Sequence, residues 1–334
     1  MDSRTEDRLL TKLRRELGPY LTASLGDPSV VEVMVNPDGE IWVEQMGKSS
    51  VVVGRISQAE SHSIIATVAA VLGRVVNAES PILEGELPTD GSRFEGLLPP
   101  VVSAPVMTIR KRASQIFSLD DYVRTGIMSG AQRAAISKAV TNRKNILICG
   151  GTGSGKTTLT NAVIAEIVAL TPDDRLVLIE DTYELQCSAK NHVALHATEN
   201  ISMDRLLRAT LRMRPDRILV GEVRGPEALA LLKSWNTGHP GGIATLHANS
   251  ALGALTRLEQ LTGEATATAQ HLPALIAEAV DLIVFIQRSS SGRQIKEIAE
   301  VHATTDGQYQ IISVAPKVSL VAVPGSLPSE ITAT

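Results

Sequence analysis

Apolar residues change their period along the chain, and each change predicts a different element. Leu9, Leu10, Leu13, Leu17 and Leu21 recur at three- and four-residue steps among charges, which predicts an amphipathic helix over 6–25 that opens a first domain. Val30-Val31-Glu32-Val33-Met34-Val35, the turn Asn36-Pro37-Asp38-Gly39 and Ile41-Trp42-Val43-Glu44 predict a hairpin, with a third short strand at Val51-Val52-Val53. A helix from about Ser57 to Arg74 should pack on that sheet. Residues 80–109 are punctuated by Pro81, Pro88, Gly91, Pro99, Pro100 and Pro105, so the segment is expected to be irregular sheet and loops at a domain rim, ending in the strand-like Val106-Met107-Thr108-Ile109.

Ser118-Leu119-Asp120-Asp121 then starts a short helix, and beyond it short apolar strands alternate with long helices. The strands are expected at Ile146–Cys149, Leu176–Ile179, Ile218–Val220, Ile243–Leu246 and Leu282–Ile286. This alternation predicts an α/β fold with a mostly parallel sheet covered by helices. The organisation read from the pattern is an N-terminal α+β domain over 1–111, a linker or hinge over 112–130, the α/β domain over 131–315 and a C-terminal tail over 316–334. No internal repeat is visible.

Composition narrows the function classes. Hydrophobic residues make up 43% and charged residues 20%, which is globular, while 3% aromatics leave little material for stacking bases. A net charge of -4 and a pI near 6.0 argue against broad electrostatic capture of DNA, so there is no strong nucleic-acid signature. The two cysteines, Cys149 and Cys187, form no C-x-x-C pattern, and Cys149 is expected in the core. No apolar run approaches the roughly 18–20 residues of a spanning helix, and the N-terminus is not a signal peptide. The expected location is cytoplasmic, or peripheral to a membrane.

The strongest chemical signal is Gly150-Gly151-Thr152-Gly153-Ser154-Gly155-Lys156-Thr157, a G-x-x-x-x-G-K-[ST] phosphate loop directly after the apolar strand Asn145-Ile146-Leu147-Ile148-Cys149. Its glycines let successive N–H groups of Gly151, Thr152, Gly153, Ser154 and Gly155 turn toward an anion, and the following helix adds its positive end. Leu159, Val163, Ile164, Ile167 and Val168 give that helix a face to pack on a sheet. Lys156 would reach the β- and γ-phosphates of ATP, Thr157 would offer its hydroxyl to Mg²⁺, and Thr158 would bond a phosphate oxygen nearer the base.

Two acidic strand ends complete the picture. Ile218-Leu219-Val220-Gly221-Glu222-Val223-Arg224 delivers an acid, Glu222, and then a base, Arg224, where open α/β sheets place their ligands. Glu222 could hold a water of the Mg²⁺ shell or orient the attacking water. Glu180 and Asp181, in Glu180-Asp181-Thr182-Tyr183-Glu184, repeat the logic on a neighbouring strand as groups that polarise water or metal, with Glu184 a surface charge or a participant. In Thr245-Leu246-His247-Ala248-Asn249, His247 stands where a γ-phosphate could be sensed; His239 is read as a loop or subunit-contact residue, and no zinc spacing is present.

Together the phosphate loop, the acidic box, the Gly221–Arg224 strand end and Thr245–Asn249 resemble the four signatures of the secretion/traffic ATPase superfamily, over essentially the whole chain. The short N-terminal domain and the lack of a tetracysteine zinc insert point to its type IV secretion branch. The resemblance implies a homo-oligomer, a hexameric ring of RecA-like P-loop domains stacked on smaller PAS-like N-terminal domains. It also implies Mg²⁺-dependent ATP hydrolysis, a position peripheral to the inner membrane, and partners among the inner-membrane components of a secretion or conjugation apparatus. Nucleotide is expected at the interdomain junction, with N-terminal arginines closing over the phosphates; Arg93 and Arg110 stand at the matching positions. Either Glu222 or the acidic box would supply the base. A pilus-retraction or tight-adherence pilus motor would share every catalytic residue. A nucleotide-regulated scaffold with negligible turnover is a competing class, against which Glu222 and the complete acidic box count, and a RecA-like helicase is disfavoured by the charge and the scarce aromatics.

Overall fold

The leucine stripe at the N-terminus forms two helices rather than the single one its period predicts. In the computed structural model, which describes residues 3–46, 48–112, 116–198, 200–265, 271–289 and 292–314, α1 (Ser3–Glu16) stops before Gly18 and α2 (Gly18–Gly26) follows. Gly18 sits at φ 61, outside the right-handed helix, and Pro19 offers no N–H to continue it.

The first sheet follows from β1 (Val30–Val35), β2 (Glu40–Gln45) and β3 (Val51–Arg55), then α3 (Gln58–Val71), then β4 (Ile82–Glu86), β5 (Arg93–Leu97) and β6 (Val106–Arg110). Ser57 caps α3 reciprocally with Glu60, the capping-box arrangement that satisfies two free helix-end N–H groups. Strand order is β3-β2-β1-β6-β5-β4, antiparallel throughout. The stretch expected to be irregular is thus a regular hairpin joined to β6. Pro81, Pro88, Pro99, Pro100 and Pro105 all fall outside the strands, where they cost no ladder bond. Leu13, Leu21, Val33, Ile41, Ile64, Ile65, Phe94 and Ile109 form the core between this sheet and its helices.

After α4 (Leu119–Arg124) and α5 (Gly130–Thr141) come β7 (Ile146–Gly150), α6 (Lys156–Leu170), β8 (Leu176–Glu180), β9 (His192–His196), α7 (Met203–Thr210), β10 (Arg217–Val220), α8 (Glu227–Asn236) and β11 (Ile243–His247). The order continues with α9 (Ala251–Gly263), α10 (Leu272–Ala279), β12 (Leu282–Ser289), β13 (Gly292–Ala303) and β14 (Tyr309–Ser313). The second sheet runs β14-β13-β12-β7-β11-β10-β8-β9, parallel from β12 to β9, with β13 and β14 antiparallel at one edge. Both faces are covered. Ile146 and Ile148 join one apolar cluster with α5 and α6, while Leu147 and Cys149 turn to the opposite cluster with α8, α9 and α10, as alternation along a doubly covered strand requires. Burial pushes the Cys149 thiol up to about 12, so it is an unreactive core residue. Among the described residues no helix is long and apolar enough to cross a membrane. The tail expected over 316–334 lies outside the described residues.

The amino ends of the parallel strands are tied by a buried charge. Arg217 is 0% exposed; its Nε donates to Asp174 Oδ2 at 2.7 Å, its Nη1 to Gly241 O at 3.2 Å and its Nη2 to Val140 O at 3.1 Å. Burial alone would push the Asp174 carboxyl up, but hydrogen bonds from Arg217 and Thr171 and the charges of Arg217 and Arg143 hold it below its ordinary 3.8. Its stabilising contribution is therefore complete above that value and is lost as pH falls through the depressed one. Asp174→Ala strands the Arg217 guanidinium in the interior and should lower stability by about 3 kcal/mol, read as a fall in the urea midpoint at pH 7. An unchanged midpoint would mean that the pair does not carry the sheet.

Candidate nucleotide site

β7 ends at Gly150 and hands the chain to a loop whose turns only glycine adopts without strain: Gly153 lies at φ 66 and Gly155 at φ 98. Lys156 opens α6 and is buried. Its Nζ donates to Gly150 O at 3.2 Å and Gly151 O at 3.3 Å and lies 3.2 Å from His247 Nε2. Burial holds the ammonium below the usual lysine range, with Glu222 pulling the other way. Thr157 Oγ1 donates to Glu184 Oε2 at 2.9 Å, so Glu184 is a member of the site and not merely a surface charge. Thr152, Gly153, Lys156 and Thr157 line a smaller cleft, and the same residues together with Ser154, Gly155 and Thr158 line a larger one.

The acidic box is folded by one of its own members. Glu180, 2% exposed, accepts the N–H of Glu184 at 2.8 Å and of Leu185 at 2.9 Å on Oε2. Burial pushes its carboxyl up to about 7 despite those two donors. Asp181 instead meets Arg224, which is also bound to Glu222, with Nε 2.8 Å from Oε2. Glu222 Oε1 lies 2.7 Å from His247 Nε2. Lys156, His247, Glu222, Arg224 and Asp181 therefore form one continuous chain of polar contacts across the ends of β7, β11, β10 and β8. Burial lowers the His247 pKa, Glu222 opposes, and Lys156, Arg224 and Arg110 lower it further. Thr245 fixes the frame: its hydroxyl donates to Gly221 O at 2.6 Å and its carbonyl accepts from Val223 N at 2.9 Å.

Arg93 and Arg110 arrive from the first sheet. They are directly opposed on β5 and β6 and line the same smaller cleft as Lys156, Glu222 and His247. On the other side of β6, Glu32 of β1 is the residue opposite Arg110; burial pushes its carboxyl up, against the pull of Arg110 and Arg93. His239 lies apart, its Nδ1 3.2 Å from Pro215 O at the opposite end of β10.

Sequence reasoning missed a second bridge between the sheets. Tyr183 stacks on His196 with centroids 4.2 Å apart and rings 10° from parallel, Arg112 lies 5.4 Å over the Tyr183 ring, and Arg112 pairs with Glu86 at 2.9 Å. It also missed Arg288 and Arg293, which line the larger cleft. These contacts join residues far apart in the chain and carry no motif, so only the fold reveals them.

A phosphate loop at the carboxyl edge of a parallel sheet, faced by two acidic strand ends and a histidine, defines a P-loop ATPase of the RecA-like kind. A family model for type II/IV secretion system proteins matches residues 17–310, and the chain belongs to that family. It is 53% identical over 307 residues to the conjugal transfer protein TrbB of Rhizobium radiobacter, covering 92% of this chain and 94% of that protein. It is 32% identical over 334 residues to the protein VirB11 of Agrobacterium fabrum, covering 89% and 95%. These relatives put it on the type IV secretion branch. The fold is shared with the pilus retraction motor PilT bound to ADP (TM-score 0.59, 18% identity, 92% of this chain and 83% of that one) and with the ATPase DotB of Legionella pneumophila (TM-score 0.56, 19%, 94% and 80%).

The loop geometry separates two of its glycines. A Cβ on Gly155 would take a left-handed backbone and lie 3.1 Å from Arg293 Cδ, whereas one on Gly151 would meet nothing within 4 Å. Gly155→Ala should cost about 1–2 kcal/mol in urea unfolding, and Gly151→Ala should be neutral there. Equal effects would show that the loop does not hold this conformation.

Proposed function

We propose that the chain is an ATP-hydrolysing motor of a type IV secretion or conjugative transfer system, working as a hexamer at the periphery of the inner membrane. The observation that carries this reading is the cleft shared by both sheets: Arg93 and Arg110 on one side, Lys156, Glu222, Arg224 and His247 on the other. The conjugal transfer relative at 53% identity supports the system to which the motor is assigned.

Lys156 and the loop amides of Gly151–Gly155 hold the β- and γ-phosphates, and Thr158 bonds a phosphate oxygen nearer the base. Mg²⁺, when bound, neutralises charge on the phosphate oxygens. Thr157, Glu184, Glu222 and Asp181 present hard oxygen donors of the kind it takes alongside phosphates. Glu222, already in contact with Arg224 and His247, orients the attacking water, and Glu180 keeps the acidic box folded behind it. His247, in contact with Glu222 and Lys156, registers the γ-phosphate. Arg93 and Arg110 draw the N-terminal part inward while the γ-phosphate is present and release it afterwards, so hydrolysis becomes domain motion.

The moving bodies are the first sheet with its helices and the second sheet with its helices. Within the linker expected over 112–130, Leu119, Tyr122 and Met128 are buried in the core of the second sheet, so that part of it belongs to the second body. Residues 113–115 lie outside the described residues.

Mg²⁺-dependent ATP turnover per subunit should rise with protein concentration and fall at least ~100-fold in Glu222→Gln, which keeps nucleotide binding. Binding without turnover at any concentration would replace the motor with a nucleotide-regulated scaffold.

A further inference from the structure

The β12–β13 hairpin places two arginines in a costly position. Arg288 and Arg293 are directly opposed in its antiparallel register. Opposed residues project from the same face, and like charges there repel. Both side chains sit against the phosphate loop: a Cβ on Gly153 would lie 3.5 Å from Arg288 Nη1, and one on Gly155 3.4 Å from Arg293 Nε.

Protein groups only partly offset the repulsion. Arg288 Nη1 donates to Glu44 Oε1 at 3.1 Å, a carboxylate carried by β2 of the other sheet. Arg293 Nε is buried and donates to nothing among the described residues, and none of their carboxylates lies within the 4.0 Å of an ion pair with Arg293. A buried donor of this kind is expensive unless an acceptor completes it. The first sheet repeats the device, since Arg93 and Arg110 are also opposed and also face the loop.

The two pairs line overlapping clefts, and Arg110 and the loop residues Thr152, Gly153, Lys156 and Thr157 belong to both. Arg93 lines only the smaller cleft, with Glu222 and His247, whereas Arg288 and Arg293 line only the larger one, which alone reaches Ser154, Gly155 and Thr158, the end nearer the α-phosphate. We infer that Arg288 and Arg293 form a second cationic wall of the nucleotide pocket, gripping the α-phosphate and ribose end, and that Glu44 competes with the phosphate for Arg288. This rests on the ATP-site reading above. A guanidinium fork suits a phosphate better than an ammonium does. The competition also means that nucleotide loosens one tether between the sheets while Arg93 and Arg110 add another.

Equilibrium binding of a fluorescent ADP to the full chain tests this without needing turnover. Arg293→Ala and Arg288→Ala should each weaken binding about tenfold, and Arg293→Lys, which keeps stem and charge, should recover only part of it. Glu44→Gln should tighten binding several-fold, an effect that disappears in Glu44→Gln/Arg288→Ala, as a double-mutant cycle requires of a shared partner. Urea midpoints of each variant report whether it folds, and the Arg293→Lys and Glu44→Gln variants keep the test alive if an alanine variant does not. Wild-type affinity in folded Arg293→Ala and Arg288→Ala, or weaker binding in Glu44→Gln, would overturn the inference. Failure of the ATP-site reading looks different: the wild type would bind ADP no better than Lys156→Ala.

Discussion

Cationic groups crowd one seam of this molecule, and each must have an anionic or carbonyl partner there or repel its neighbours. Lys156 rests on the carbonyls of Gly150 and Gly151, Arg224 on Glu222 and Asp181, Arg288 on Glu44 and Arg112 on Glu86. Nucleotide binding is on this account an exchange of partners, in which phosphate oxygens compete with groups the protein already supplies. The exchange has mechanical consequences because the partners belong to both sheets. Altering who holds Arg288 or Arg110 alters how the sheets are tied.

The rest of the fold makes such an exchange possible by holding the ligands still. The parallel strands bring Gly150, Glu180, Glu222 and His247 to one edge, and the apolar clusters on both faces fix their register. At the other edge Arg217 and Asp174 close the strand ends over a fully buried guanidinium. Rigidity on the strands and long polar side chains at their tips give positions that are well defined with partners that can change.

Local chemistry was legible in the chain itself. The glycine spacing of 150–157 dictates the loop, the apolar runs give β7, β8, β10, β11 and β12, and the acids at two strand ends follow from where such sheets bind ligands. Elements and contacts that depend on distant partners were not. His192–His196 offers only Val193-Ala194-Leu195 between two histidines and is exposed or half-buried at the sheet edge, and Ile295 and Ile298 of β13 lose strict alternation at the register shift opposite Phe285 and Ile286. The single leucine-periodic helix was interrupted by Gly18-Pro19, a backbone effect that the period of side chains cannot show. Glu184 lay in the acidic box, but only the contact with Thr157 decides between surface charge and participant; Arg288 and Arg293 carry no motif, and their proximity to the loop is set by the register of strands far along the chain.

The central claim is that arginines of the first sheet complete a nucleotide site built on the second. The most direct measurement is the affinity for a non-hydrolysable ATP analogue of wild type against Arg93→Ala/Arg110→Ala, with ADP as the comparison. The account predicts a loss of about tenfold or more for the ATP analogue and a smaller loss for ADP, because it assigns the smaller cleft to the γ-phosphate. Equal affinities for wild type and the folded double variant would contradict it.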